Sequence, residues 1–502
     1  MRNLLISAIC LIALTACVQK SAEGPKISIF CQHIETIAQQ EGMDFKTAAA
    51  VVKDLGYAGV DVNVGTEADK MAVLDSLGFA HACAIASIDY VAGEQPEAEQ
   101  EVLDYIKAYN FDKLLLIPGF LTDENPCACE AVKRVAAFAA KAAGLGVKVV
   151  VEDFDNEKSP CYGTAALEKM FEASPELGMN FDTGNFLGAG EDCWRAVWDF
   201  SDKIAHVHLK DRVSESDLSC PASGTGCLPI VAIVKKLAAQ GYDGWYAVEH
   251  FGSRHMLADA AASYAVVSIA LANPGMVPGM TEYYFPAVAK ITPTPYVETA
   301  VPEGATVLFD GSNLDAWTSS NGEAAGWTLN GDGTMTVDKT KGDIKTKDEF
   351  GSYQLHIEWR VPEDIEGQSQ ARGNSGVFMH GLYEVQVLDN YENQTYIDGM
   401  AASLYKQSVP SANPCRKPGE WNVYDITFTA AVPTTDSEPA VRPRITVVFN
   451  GVTVQDNFEL RGTTEYIGLP REIWSEKGPI SLQMHGDPSK PISFKNIWIK
   501  EI

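Results

Sequence analysis

Between Lys26 and Ala272, short apolar runs alternate with amphipathic stretches in a repeating strand–helix order, and no other feature of the chain restricts its fold so tightly. Strands are expected at Lys26–Cys31, Tyr57–Val62, Phe79–Ile85, Lys113–Pro118, Val147–Glu152, Leu177–Asp182, Lys203–Leu209 and Asp243–Glu249. Stretches such as Phe45–Leu55, Glu130–Ala143 and Pro229–Ala239 carry apolar residues at helical spacing. Eight such units in about 250 residues make a (β/α)8 TIM barrel. An open doubly wound sheet is the alternative, but no Gly-rich dinucleotide turn follows the first strand.

From 273 to 304 the pattern lapses, with prolines at 274, 278, 286, 293, 295 and 302, as in a semi-rigid linker. From Ala305 to Ile502 the chain reads as all-β. Strands are expected at Val307–Phe309, Gly351–Arg360, Gly376–Met379, Tyr383–Leu388, Trp421–Thr429, Arg444–Phe449, Ile480–His485 and Ile492–Glu501, separated by Asn-Gly, Asp-Gly and Pro turns. A two-sheet sandwich of jelly-roll type is the economical fold. The net charge of −28 repels phosphate backbones, so nucleic acid is not an expected partner.

Met1-Arg2, the apolar run Leu4–Leu14 and then Leu14-Thr15-Ala16-Cys17 resemble the leader and lipobox of bacterial lipoproteins. The resemblance implies removal of residues 1–16, lipidation of Cys17, and anchorage to a membrane of the cell envelope, the outer membrane in particular. Export permits disulfides. Cys220 and Cys227, flanking Pro-Ala-Ser-Gly-Thr-Gly, are the best local pair. Cys127-Ala-Cys129 is too closely spaced for a zinc knuckle, and its cysteines are expected to pair elsewhere, with Cys161 or Cys193 as candidates.

In a TIM barrel the chemistry gathers where strands end, because the following loops surround one mouth. Glu152, Asp182, His208 and Glu249 fall at that end of four successive strands. Alternation puts His206, His208 and Lys210 on the inward face, His206 one layer deeper and Lys210 at the rim. Three carboxylates and one imidazole suit Mn²⁺ first and Mg²⁺ next, with Zn²⁺ or Co²⁺ as softer alternatives. This constellation resembles the xylose-isomerase-like sugar isomerase/epimerase superfamily. The resemblance implies that Glu152, Asp182, His208 and Glu249 bind the metal and that Glu152 and Glu249 move protons beside a carbonyl. The chain departs from many relatives in having Glu152-Asp153-Phe154 for Glu-Asn-His, and Asn185 for a histidine after Asp182. Lys210 and His33 are candidates for substrate contact, with His81 and His255 behind them.

In the β-rich half, Phe309-Asp-Gly-Ser-Asn-Leu-Asp-Ala-Trp317, Gly373-Asn-Ser-Gly-Val-Phe-Met379, Tyr383-Glu-Val-Gln-Val-Leu-Asp389, Gly419-Glu-Trp-Asn422 and Leu482-Gln-Met-His-Gly486 resemble the concanavalin-like 3-keto-disaccharide hydrolase family. His380 stands where many members have Arg. Glu384-x-Gln386-x-x-Asp389 has the spacing of a bulged glucanase strand, and a bulge would bring Glu384 and Asp389 to one face as a carboxylate pair. Gln386, Gln483 and His485 are expected to line the groove, and Trp474 to stack on sugar. Together the halves imply an envelope enzyme that cleaves 3-keto-glycosides, removing H2 at the barrel and releasing the group at C1. A free-sugar isomerase or epimerase with a carbohydrate-binding sandwich is the first rival, and a non-catalytic glycan-binding lipoprotein the second.

Overall fold

The computed structural model describes residues 24–273, 275, 278–282, 287–432 and 441–502; the expected leader over 1–16 and Cys17 lie outside them. The chain forms two compact units, Met1–Gly275 and Met276–Ile502.

In the first unit, β1 (Ile27–Phe30), β2 (Gly59–Asn63), β3 (Ala80–Ser87), β4 (Lys113–Ile117), β5 (Lys148–Glu152), β6 (Gly178–Asp182), β7 (Ile204–Leu209) and β8 (Tyr246–Val248) close a parallel barrel, β8 returning to β1. Every expected strand is present within a few residues. Phe30, Cys83, Ile85, Leu115, Val150 and Ala247 form one buried cluster. Val150 and Ala247 stand two residues before Glu152 and Glu249, so the period of two that fills the barrel with apolar side chains also lifts the carboxylates into its upper layer. The helices follow local rules: the Asp44 carboxylate caps Phe45–Leu55 by accepting the Thr47 N–H, and Gly56 ends it at φ 114°.

The second unit packs a five-stranded sheet (Trp317–Ser319, Ile344–Thr346, Ser481–Leu482, Ser375–Met379, Tyr383–Val387) against an eight-stranded antiparallel one. Trp317, Trp359, Tyr353, Tyr424, Val377 and Val385, all at most 1% exposed, lie in the core between them. Trp498 lies on the other face, stacked on His356. The proline-rich stretch read as a linker is fastened to this sandwich from Ala289 on. Ile291 N–H bonds Asn413 O, Thr294 N–H bonds Asn450 O, and the Tyr296 hydroxyl donates to Glu358 at 2.8 Å.

Two cysteine expectations are corrected. Cys127 and Cys129 are bonded to each other rather than to distant partners, while Cys161 and Cys193 are free and buried. Cys220 and Cys227 are also free. Their loop is closed by the Asp211 carboxylate, which accepts the N–H groups of Gly224, Gly226 and Leu228, and the Cys220 thiol faces Arg212.

Candidate functional site

Glu152, Asp182 and His208 stand at the C-terminal ends of β5, β6 and β7, and Glu249 directly after β8. His208 Nδ1 lies 3.3 Å from a Glu152 oxygen and 3.3 Å from a Glu249 oxygen. Lys210 Nζ bridges Asp182 Oδ2 at 2.8 Å and Glu249 Oε1 at 2.6 Å. The expected four residues thus converge. Lys210 is largely enclosed among them, its side chain 12% exposed, as their resident counter-charge.

Electrostatics follow from that crowding. Burial alone would raise the Glu249 pKa, but Lys210 and His208 hold it well below the usual carboxylate range. Asp182 is pushed up to about 7, by burial first, with Lys210 opposing and Glu249 and Glu152 adding repulsion. Burial disfavours the charged imidazole of His208, yet its contacts with Asp61, Glu152 and Glu249 outweigh that and keep it well above its ordinary value.

The donor set fits a divalent cation. Glu152, Asp182 and His208 offer ligand atoms within 4.8 Å of one another, and Glu249 adds a fourth beside His208. The His208 ring nitrogens lie 3.3–3.4 Å from carboxylate oxygens of Asp61, Glu152 and Glu249, and Asp182 and Glu249 share Lys210 as their cation, so the acids outnumber the lysine. Clustered carboxylate oxygens beside one imidazole suit a hard ion.

Several contributors were not singled out from the sequence. Asp61, fully buried on β2, stands 2.6 Å from His206 Nε2 and 3.4 Å from His208 Nε2, and accepts the Ser28 hydroxyl. Its signal was present: a charged residue in Val60-Asp61-Val62, at the inward parity of an apolar strand. Asn180 donates to Glu152 at 2.7 Å. Asn185 accepts from Lys210 and donates to the Asp153 backbone, filling the position of the absent histidine. His33 is buried beside Phe30 and Phe251 and accepts the His250 N–H, next to the site rather than in it. His81 is on the N-terminal end of β3, bonded to Tyr109 O and Asp75, away from the mouth, and His255 is exposed.

In the sandwich, Tyr383–Val387 pairs with Ser375–Met379 without a register shift, so Glu384 and Gln386 share one face. Asp389 lies past the strand end and is held by Arg372 Nε at 2.7 Å. The expected carboxylate pair is therefore replaced by two acids in different surroundings. Glu384, 6% exposed, rests against Gly376, where an added Cβ would meet its carboxylate at 2.3 Å. Burial, with Asp343 nearby, pushes the Glu384 pKa up to about 8. Gln386 donates to Gln370, Asn374 and Gly399 O. Gln483 and half-exposed His485 follow Ser481–Leu482. Trp474 packs against the core with Arg442 over its ring. His380 turns both ring nitrogens onto the carbonyls of Ser475 and Gly351.

Residues 304–500 match the family model of the 3-keto-alpha-glucoside-1,2-lyase-like domain, and residues 97–267 that of the xylose isomerase-like TIM barrel. The chain is 34% identical over 104 residues to inosose dehydratase 2 of Bacillus cereus, covering 17% of this chain and 35% of that protein. It is 27% identical over 129 residues to a candidate hydroxypyruvate isomerase of Streptomyces coelicolor, covering 24% of this chain and 44% of that one. The chain thus spans less than half the length of these curated relatives. A candidate glycosyl hydrolase of known crystal structure from Parabacteroides distasonis is 52% identical, over 44% of this chain and 95% of that one, with a TM-score of 0.40.

Proposed function

From a chain that joins a xylose isomerase-like TIM barrel to a 3-keto-alpha-glucoside-1,2-lyase-like domain, we propose an enzyme that cleaves 3-keto-glycosides by two proton-transfer steps, one in each unit. The observation that carries this reading is Glu384, a buried carboxyl with its pKa pushed up to about 8, in the domain whose family name specifies 1,2-elimination. Once ionised, a carboxylate with a raised pKa is a stronger base than an ordinary one, so elimination should quicken as pH rises toward 8.

The substrate's C3 ketone acidifies H2. Glu384 takes that proton, the electron pair forms the C1–C2 double bond, and the C1 substituent leaves as its alcohol after protonation. One base suffices, so the separation of Asp389 from Glu384 does not obstruct the step. The product is an unsaturated 3-ketone that retains the 2-hydroxyl.

The barrel is assigned the addition of water to that product. The relative named inosose dehydratase supports this, because a dehydration run backwards is a hydration. Glu152 and Glu249 flank His208, so one carboxylate can draw the proton from water attacking C1 and, now protonated, return it to C2 while the other stays charged. Lys210 and Asn180 hold their charged oxygens in place. A divalent ion on Glu152, Asp182, His208 and Glu249, when bound, supplies Lewis-acid polarisation of the ketone oxygen. The sum of the steps is hydrolysis at C1.

The test is to give the intact protein a 3-keto-glucoside and, separately, its unoxidised parent. The keto sugar should be consumed and the parent should not, since its H2 is too weakly acidic. Glu249→Gln should accumulate the ultraviolet-absorbing unsaturated ketone, whereas Glu384→Gln should leave substrate intact. Undiminished consumption by Glu384→Gln would remove the sandwich from the chemistry. Interconversion of free ketoses with no action on the 3-keto-glucoside would replace this reading by an isomerase. The envelope location is proposed on Leu14–Cys17 alone; Cys17→Ser should shift the protein out of the membrane fraction, and unchanged partitioning would refute the anchor.

A further inference from the structure

The sandwich has a cavity of about 470 Å³ between the proline-rich strap and the loop around Arg416, lined by Lys290, Pro293, Tyr391, Arg416, Lys417 and Glu420 among others. Its volume lies within the range of about 300–1,000 Å³ usual for small-molecule pockets. Three of these residues are cations and one is an acid, in a chain whose net charge is −28. The lining is the reverse of the molecule that carries it.

The cations are incompletely matched. Arg416 donates through Nη2 to the Thr294 carbonyl, but its Nε is buried with no hydrogen-bond partner. A guanidinium cannot shed its proton to escape that position, so Arg416 keeps its full charge at the cavity wall. Lys290 has Glu392 only at 4.0 Å and otherwise lies over the Tyr391 ring at 3.9 Å. Lys417 faces Glu420 at 3.8 Å, with both side chains about half exposed or more. These are loose pairs that an incoming oxyanion would outcompete.

We propose that this cavity is an anion-binding site for a carboxylate- or phosphate-bearing molecule of about monosaccharide size, held by Arg416 with Lys290 and Lys417. Oxygens on one anionic centre accept from a guanidinium and a neighbouring ammonium together, which a neutral sugar cannot match. Strap and loop each contribute cations, so the site exists only while 290–294 is fastened to Asn413 and Asn450. It is independent of the cleavage chemistry and shares no residue with it.

The test is calorimetric titration of the intact protein at low ionic strength with glucuronate, glucose 6-phosphate and glucose. At least one of the anions should bind, and glucose should bind at least ~10-fold more weakly. Binding by glucuronate alone identifies a carboxylate ligand, and binding by glucose 6-phosphate alone a phosphate ligand. Arg416→Gln should weaken the anion at least ~10-fold. Because that change also removes the bond to Thr294 and can loosen the strap, Lys417→Gln, which gives up the loose pair with Glu420 instead, should independently weaken binding ~3-fold. Full affinity in both variants would place the anion elsewhere and end the proposal. Equal binding of glucose, or displacement by sulfate at equal affinity, would also overturn it.

Discussion

The barrel and the sandwich both bury carboxyl groups, and they do so in opposite ways. In the barrel, Glu152, Asp182 and Glu249 surround Lys210 and His208, and the counter-charges hold Glu249 well below the usual range. In the sandwich, no cation among the described residues offsets Glu384, and burial with Asp343 nearby holds it up to about 8. The difference lies in partners rather than depth, since both acids are 5–6% exposed. One site keeps charge available to hold an ion or a sugar oxygen; the other keeps a proton until a substrate changes its surroundings.

The largest effects expected from this comparison are catalytic. Glu384→Gln removes the only base of the proposed elimination and should lower turnover of a 3-keto-glucoside by roughly 10²–10⁴-fold. Glu152→Gln or Glu249→Gln should lower hydration of the unsaturated ketone by a similar factor while elimination continues. If a single variant abolishes both steps, the two units do not divide the work.

Next in size is the loss of a counter-charge. Lys210→Met leaves Asp182 and Glu249 facing each other without their cation. Breaking a buried pair in this way costs about 3–5 kcal/mol, so the variant's denaturation midpoint should fall sharply. A divalent ion should recover part of the loss by taking the vacated role. An unaltered midpoint would mean that the carboxylates are not held by Lys210.

How much of this could be read from the chain depended on the kind of signal. The barrel strands are apolar runs between helices of matching length, and strand parity then fixed which residues face inward; hence Glu152, Asp182, His208 and Glu249 were legible. Asp61 was legible in principle but sits on a strand far from the others in sequence, so only the closed barrel brings it to His208. In the sandwich, Val452–Glu459 was missed because Thr453, Gln455, Asp456 and Asn457 mask its alternation. The Asn450-Gly451 turn before it, with φ of 49° and 81°, marked a hairpin all the same. Asp389 was misassigned for a simpler reason: sequence spacing cannot show that Arg372 claims it.

A smaller effect separates the two kinds of acid by pH. The Glu384 pKa is about 8 in the folded chain against 4.5 when unperturbed. Between those values the unfolded chain releases a proton that the folded chain keeps, so Glu384 makes stability fall as pH rises through this window and level off above it. Glu384→Gln removes that dependence. The variant should match the wild type near pH 4 and exceed it by roughly 2–4 kcal/mol at pH 8. Parallel stability curves for the two proteins would mean that Glu384 is ionised when folded.

The smallest effect is expected at His485, which tests whether burial sets the scale throughout. Its ring is paired with Asp487 at 3.2 Å, a contact comparable in length to that of His208 with Glu249. The His485 side chain is 37% exposed, however, and Asp487 keeps Lys339 and Ser489 as partners when the ring is removed. Water replaces what is lost, so His485→Ala should change stability by no more than about 0.5 kcal/mol. If the proposed substrate contact at His485 holds, its loss should raise KM roughly 2–3-fold with kcat unchanged, the signature of lost uniform binding. A fall in kcat would instead put His485 in the chemistry. A stability loss near that of Lys210→Met would show that exposure does not govern these pairs, and the contrast between the two units would lose its physical basis.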